Sequence, residues 1–322
     1  MSFCRALPLL AGVLCFAFAA SSAVAQEWPS KPVRFIVPYT AGGGTDIVAR
    51  MVGARLAEIH KQPFIIENRP GASGAIGGDV VAKAPADGYT VLFESQSIAV
   101  TPAIKKDPPF DVLKTFQPVA QTVTQAFIIV STASLPVKNL RDLVALSKTR
   151  PGGLNAAVSG SGTLLSAEFF KLVGNTPLTI IPYKGGSQAA LALVSGESDV
   201  GFIDIPSIAM QISAGRVHAH AVTTGKRIPL LPDVPTAAEA GFADYKVEGW
   251  LGVFVAAGTP ENIVNRISNQ IRESVVSPEI SAKIVQLGGE PTPTGAAEFT
   301  ALVRGEIAHW KDVVARGNIK QE

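Results

Sequence analysis

The sequence predicts an α/β protein of two lobes, each a mainly parallel sheet flanked by helices. Three observations carry this. Short apolar, β-branched runs alternate with stretches whose apolar residues recur at helical spacing, the pattern of parallel sheets covered by helices. A strand that runs through a small-residue, glycine-bearing loop into a helix occurs twice, at 33–50 and again at 154–172. The chain of 322 residues is long enough to fill two such lobes.

Residues 1–5 form a short basic start, 6–20 an apolar core and 21–25 a small-residue A-x-A end. This reads as a secretory signal peptide, residues 1–25, cut after Ala25. Its apolar part is short for a membrane span, and the bulky Leu14 before Cys15 argues against a lipid anchor. Both cysteines, Cys4 and Cys15, fall inside it, so the exported chain has no disulfide and depends on its core alone. The formal charge of +2 gives no support for nucleic-acid binding. A periplasmic location is expected.

The first strand is 33–37, and the loop Ala41-Gly42-Gly43-Gly44 has almost no side chain. Thr45 or Asp46 can cap the helix that follows, in which Val48, Met51, Val52, Leu56 and Ile59 share a face. Pro63 stops this helix, 64–66 is a second strand, and 67–74 is a loop of turn formers. A short helix at 75–83 leads through Pro85-Ala86-Asp87-Gly88 to a third strand, 89–93, which ends in Glu94-Ser95-Gln96-Ser97. The proline-bearing stretch 105–118 reads as a connection, and 126–130 as the strand that opens the second lobe.

There, a helix at 140–147 and a strand at 154–158 precede Ser159-Gly160-Ser161-Gly162-Thr163 and an amphipathic helix through Phe169 and Phe170. The strand 178–181, the loop Pro182-Tyr183-Lys184-Gly185-Gly186-Ser187 and a helix follow; then a strand carries Asp204 at its end, and 219–223 is another. The apolar stretch 245–256 is long enough to cross between lobes. Thr259-Pro260 starts two helices, to about 286, and a last helix runs from about 296 to 315. The expected division is 26–125 and 248–322 for the first lobe and 126–247 for the second.

Ligands of open α/β sheets sit beyond the carboxyl ends of the strands, where both glycine loops lie. Each loop aims unpaired backbone N–H groups, backed by the positive end of a helix dipole, at one spot, which suits a carboxylate or phosphate. If the lobes face one another, both loops open on a single closing cleft. A tight turn without a ligand is the other reading of each loop.

Other chemistry finds little support. Neither glycine run carries the Lys and Ser/Thr of a phosphate-binding loop, and the first lacks the dinucleotide spacing. Gly71-Ala72-Ser73-Gly74-Ala75 nearly forms a nucleophile elbow, but lacks the last glycine and has no histidine motif beside it. His218 and His220 would share a strand face without further metal ligands, and His60 and His309 read as helix-surface residues. No catalytic residue, metal or cofactor is expected. Asp46 reads first as a helix cap or dipole partner. Asp204 has two open readings, a cap for the helix at Pro206 or a partner for a ligand hydroxyl or ammonium. Lys184 and Trp250 read first as a solvated lysine and a core residue.

The chain resembles the tripartite tricarboxylate transporter solute-binding receptors, the Bordetella uptake gene (Bug) family. The resemblance rests on Trp28-Pro29-Ser30-Lys31-Pro32-Val33-Arg34, Val37-Pro38-Tyr39 through Gly43-Gly44-Thr45-Asp46, and Glu67-Asn68-Arg69-Pro70-Gly71. It continues through Ala84-Pro85-Ala86-Asp87-Gly88-Tyr89-Thr90, Pro182-Tyr183-Lys184-Gly185, Leu231-Pro232-Asp233-Val234-Pro235-Thr236 and Ala257-Gly258-Thr259-Pro260. It implies a two-lobed, type II-like periplasmic binding protein, or Venus flytrap. Such a receptor binds a small carboxylate and delivers it to membrane transporter subunits; a monomer and no nucleic-acid partner are expected.

Carried onto this chain, the ligand-binding residues are Tyr39, Thr40, Ala41, Gly42, Gly43, Gly44, Thr45, Asp46, Ser97, Ser159, Gly160, Ser161, Gly162, Thr163 and Asp204. Many relatives have a histidine shortly after the second loop. Here Leu164 and Leu165 stand instead, and are expected to make that wall more apolar. The rivals to a receptor are an exported α/β enzyme and a ligand sensor for a membrane signalling protein.

Overall fold

The computed structural model describes residues 28–183, 185–319 and 321; the leader at 1–25 and Lys184 lie outside the described residues. Three strands, β1 (Val33–Val37), β2 (Phe64–Asn68) and β3 (Thr90–Ser95), form the parallel part of the first lobe in the order β2-β1-β3. Between them run α1 (Gly44–His60) and α2 (Ala75–Ala82), and after β3 come α3 (Ser97–Ile104) and the single turn α4 (Val112–Thr115). The next strand, β4 (Phe116–Thr132), has 17 residues. It is followed by α5 (Leu140–Thr149), β5 (Leu154–Val158), α6 (Ser161–Gly174), β6 (Leu178–Pro182), α7 (Gly186–Ser195), β7 (Val200–Asp204), α8 (Ile205–Ser213) and β8 (Val217–Val222). The chain then returns through β9 (Glu248–Ala256), α9 (Glu261–Val275), α10 (Pro278–Gln286), β10 (Gly289–Pro291) and α11 (Ala296–Arg316).

The second lobe repeats the first: β6-β5-β7 is a parallel unit of the same order, with a glycine loop after β5 as after β1. The antiparallel pairings all involve β4 or β9. The first half of β4 pairs with β9 and β10, and its second half with β7 and β8. The strand expected at 126–130 is therefore the second half of a longer one that both sheets share. The sequence hides this because Pro118 falls near its start, where the register with β9 shifts. The 245–256 stretch is shorter as a strand than expected, and β9 lies beside β3 and β4 in the first sheet. The helix α3 has no clear sequence signal, since Pro102 sits inside eight residues of apolar chain.

Strand direction follows from these pairings. β3 and β4 are each antiparallel to β9, so β1, β2 and β3 run the same way as β4. β7 is antiparallel to β4, so β5, β6 and β7 run against it. Since β4 passes from the first lobe to the second, the carboxyl ends of both parallel units face each other across the gap.

Period-2 burial of the strands builds the layers. In the first lobe Phe35 and Phe93 meet Val52 of α1 and Ile267 of α9, while Ile36 and Leu92 meet Val81 of α2 and Phe299 of α11. In the second, Ala156 and Phe202 pack with Phe170 of α6, and Ala157 and Ile203 with Leu193 of α7. The last helix serves both lobes: Phe299 and Val303 belong to the first-lobe core, and Trp310 and Val313 to the second-lobe core.

The phenyl ring of Phe299 lies where a side chain at Gly252 of β9 would be, flanked by Trp250 and Phe254. Gly252→Ala forces this ring aside in a closed core, and is expected to lower stability by about 1–3 kcal/mol, the usual cost of overpacking. Urea denaturation compares the two proteins, and an unchanged midpoint and slope contradict the close fit.

Candidate functional site

The facing carboxyl ends enclose a cleft of about 860 Å³. Five helices begin on it: α1 and α3 from the first lobe, and α6, α7 and α8 from the second. The first turn of a helix has N–H groups without intrahelical partners, and these carry the positive end of the helix dipole. The cleft therefore has a positive field although no Lys or Arg among the described residues lines it.

Capping separates these helices. Asp204 caps α8, its Oδ1 accepting from the Ser207 N–H at 3.1 Å and the Ser207 hydroxyl at 2.7 Å. The N-cap positions of α1, α6 and α7 are Gly43, Gly160 and Gly185, and no side chain caps any of the three. Backbone geometry does not require glycine at these positions. Gly43 has φ −77°, and Gly160 and Gly185 are extended at φ 167° and −176°. A Cβ would meet nothing within 4 Å at Gly160 or Gly185, and only the Thr40 carbonyl at 3.7 Å at Gly43. The space beside three uncapped helix starts is thus kept clear of side chains although the fold tolerates them.

The loops are held from behind. In the first, the Gly42 N–H and the Arg50 guanidinium donate to Asp46 Oδ2 at 2.8 and 2.9 Å, and Asn68 Nδ2 donates to Asp46 Oδ1 at 2.9 Å. Asn68 Nδ2 also reaches the Tyr39 carbonyl at 3.1 Å. Burial pushes the Asp46 carboxyl up, but the bonds from Arg50, Gly42 and Asn68 outweigh it and hold it below its ordinary range. In the second loop the Ser159 N–H donates to Thr163 Oγ1 at 2.9 Å, and this hydroxyl donates to the Gly160 carbonyl at 3.1 Å.

Of the residues expected at the site, Tyr39 to Thr45, Ser97, Ser159 to Thr163 and Asp204 all line the cleft. Asp46 does not; it is 2% exposed and its oxygens are spent on the loop. Leu164 and Leu165 do not form a cleft wall either, because the register of α6 turns both toward the second-lobe core. The expected apolar wall is absent for that reason. The sequence reading also missed Gly185 and Gly186, whose glycine pair before a helix repeats the pattern of the other loops, and Gln96, Gln125 and Phe127, which had no local signal.

The histidines stay outside the cleft. His220 is buried with Nε2 2.8 Å from the Ser131 hydroxyl, whereas His218, at the strand start, is exposed. Burial lowers the His220 pKa to about 4, so its ring is neutral. His60 is not a plain surface residue: its ring lies 6.1 Å from that of Trp28. No group of three potential metal ligands occurs among the described residues.

One acidic residue lies directly behind the cleft. Glu94 is 2% exposed, accepts from the hydroxyl of Tyr39, and accepts from the Ser95 N–H at 2.7 Å. Burial raises its pKa to about 7, against the opposing effect of those hydrogen bonds. Burial, and then the neighbouring Glu94 charge, push the Tyr39 hydroxyl well above its usual value.

A family model described as the tripartite tricarboxylate transporter family receptor matches residues 48–319. Protein BugT of Bordetella pertussis is 30% identical over 324 residues, covering 99% of each chain. Among solved structures, R. palustris Rpa4515 with adipate superposes with a TM-score of 0.85 at 34% identity, over 92% of this chain and 100% of that one. MatC from Rhodopseudomonas palustris with bound malate gives a TM-score of 0.80 at 29% identity, over 89% and 100%.

Glu94 predicts a pH dependence of stability. Below pH 4.5, its ordinary pKa, the carboxyl is protonated in both the folded and the unfolded chain. As pH rises from there to about 7 the unfolded chain releases the proton and the folded chain keeps it, so stability falls. The fall is roughly 3 kcal/mol at about 1.4 kcal/mol per unit, and is complete above the folded pKa. Glu94→Gln is expected to flatten this slope and to raise stability at about pH 8. Urea denaturation at about pH 5, 6 and 8 checks it, and parallel curves for the two proteins contradict it.

Proposed function

This chain belongs to the tripartite tricarboxylate transporter receptor family, and we propose that it captures a small carboxylate in the cleft between its lobes. The observation that carries this is that four of the five helix starts on one cavity are left uncapped, three of them with an N-cap glycine that neither backbone nor packing requires. A carboxylate there replaces the missing caps: its oxygens accept from first-turn N–H groups and sit at the positive ends of the dipoles. The adipate and malate of the two similar solved structures are dicarboxylates, which supports the same ligand class here.

The binding residues are the loop 39–45, with Ser97, Ser159 to Thr163 and the Gly185-Gly186 start of α7. Asp46 acts from behind as the clamp of the first loop, and Asp204 chiefly as the cap of α8. The protein works without turnover. The ligand draws the lobes together to the extent that it binds the closed form more tightly than the open one. The closed receptor, a periplasmic monomer exported by its leader, then presents its cargo to the membrane subunits of a tripartite transporter.

A thermal-shift panel of adipate, malate, citrate and benzoate tests the ligand class. A ligand at a hundred times its Kd adds about 2.7 kcal/mol, which is readily seen as a rise in Tm. If a neutral sugar or a metal ion raises Tm and none of the carboxylates does, the proposal fails.

Gly160→Asp and Gly43→Val test the loops. The aspartate supplies the absent cap and is expected to leave the Tm of the free protein unchanged or slightly higher, since Asp improves on Gly at an N-cap by a few tenths of a kcal/mol. It also places a negative charge where the ligand carboxylate sits, so the ligand-induced shift is lost. Gly43→Val fills the corresponding space in the first lobe and abolishes binding while the fold persists. Undiminished affinity in both variants contradicts the assignment.

A further inference from the structure

The cleft wall holds a polar group that the carboxylate reading leaves unused. Gln96, the N-cap residue of α3, is 3% exposed, and neither its Nε2 nor its Oε1 has a hydrogen-bond partner. Its backbone N–H donates to the Trp250 carbonyl at 3.0 Å, which fixes it where β3 ends and β9 begins at the cleft. Its amide reaches across the gap to the first turn of α6, lying where a side chain at Gly162 would be. Trp250, whose carbonyl accepts that bond, packs its ring against Phe299 and Phe254 in the first-lobe core. So the buried donor and acceptor of the Gln96 amide lie at the cleft wall without partners.

Buried amides are rarely left unpaired, because the desolvation of each unmet group is costly. The partner must therefore come from what the cleft holds. A plain carboxylate only accepts hydrogen bonds, so it can satisfy the amide Nε2 but not Oε1. An ammonium group can donate to Oε1 but not accept, and the positive field of five helix starts opposes a cation. A hydroxyl both donates and accepts, and carries no charge. Resting on the receptor reading above, we infer that the ligand is a hydroxycarboxylate whose hydroxyl is read by Gln96, while its carboxylate lies at the glycine loops. Gln96 is then the residue that separates hydroxy acids from their deoxy counterparts.

Calorimetric titration of the full chain tests this with matched pairs: malate against succinate, 2-hydroxyglutarate against glutarate, and citrate against tricarballylate. In the pair that fits the cleft, the hydroxylated member is expected to bind at least about tenfold more tightly, since a site built for a hydroxyl disfavours the analogue lacking it. Gln96→Met, close in size and apolar, should weaken the hydroxylated member to the level of the other and leave the deoxy acid unchanged. It should also leave the Tm of the free protein unchanged or higher, because it removes an unpaired buried amide.

Equal affinities within every pair overturn the inference and assign a bound water to Gln96, with the receptor reading intact; this comparison needs no variant. A hydroxyl preference that survives in Gln96→Met, or a clear drop in its Tm, also overturns it. If no acid of either kind binds, the receptor reading itself falls.

Discussion

The shared strand β4 is the constraint on which the rest of the molecule depends. Because it pairs with β9 in one sheet and β7 in the other, both antiparallel to it, the two parallel units are forced to run toward each other. The loops at the carboxyl ends of β1, β3, β5, β6 and β7 then open on one gap. Parallel units of the same order facing away from each other would have equally good cores, but five helix starts would point into separate regions of solvent. Continuity of β4, with α11 contributing to both cores, brings the two α/β units onto one cleft.

That site is made of backbone rather than charged side chains. Its positive field comes from peptide dipoles, which need no desolvated lysine or arginine and hold no counter-ion of their own. The acidic groups nearby are each engaged in a different way. Asp46 is paired with Arg50 and serves the loop, Asp204 is spent on the first turn of α8, and Glu94 is driven by burial toward its protonated form. Asp46 and Glu94 therefore oppose an incoming anion less than bare carboxylates would.

Glycine plays two distinct parts around the cleft. At Gly162 a side chain would collide with Gln96 of the other lobe, and at Gly186 with Ser207 and Asp204 of the same lobe, so packing explains those residues. At Gly43, Gly160 and Gly185 nothing in the folded chain would be disturbed. There a side chain would occupy open space in the cleft. This contrast depends on what surrounds each glycine in three dimensions, and the residue letter alone does not convey it.

The order of strands and helices, the doubling of the glycine loop and the family resemblance could all be read from the chain, because each is a local pattern of polarity and spacing. That 39–45, 159–163 and Asp204 line the cleft could be read for the same reason, since a loop between a strand and a helix lies at the carboxyl end of that strand. Pairing between distant strands has no local signature, so β4 was visible only as its apolar second half. The rotation of α6, which buries Leu165, and the burial of Asp46 depend on which face of a helix meets a sheet. The burial of the Gln96 amide at the cleft depends on Gly162, which lies in the other lobe. Sequence patterns report what each residue prefers nearby; its role at this site was set by neighbours tens to hundreds of positions away.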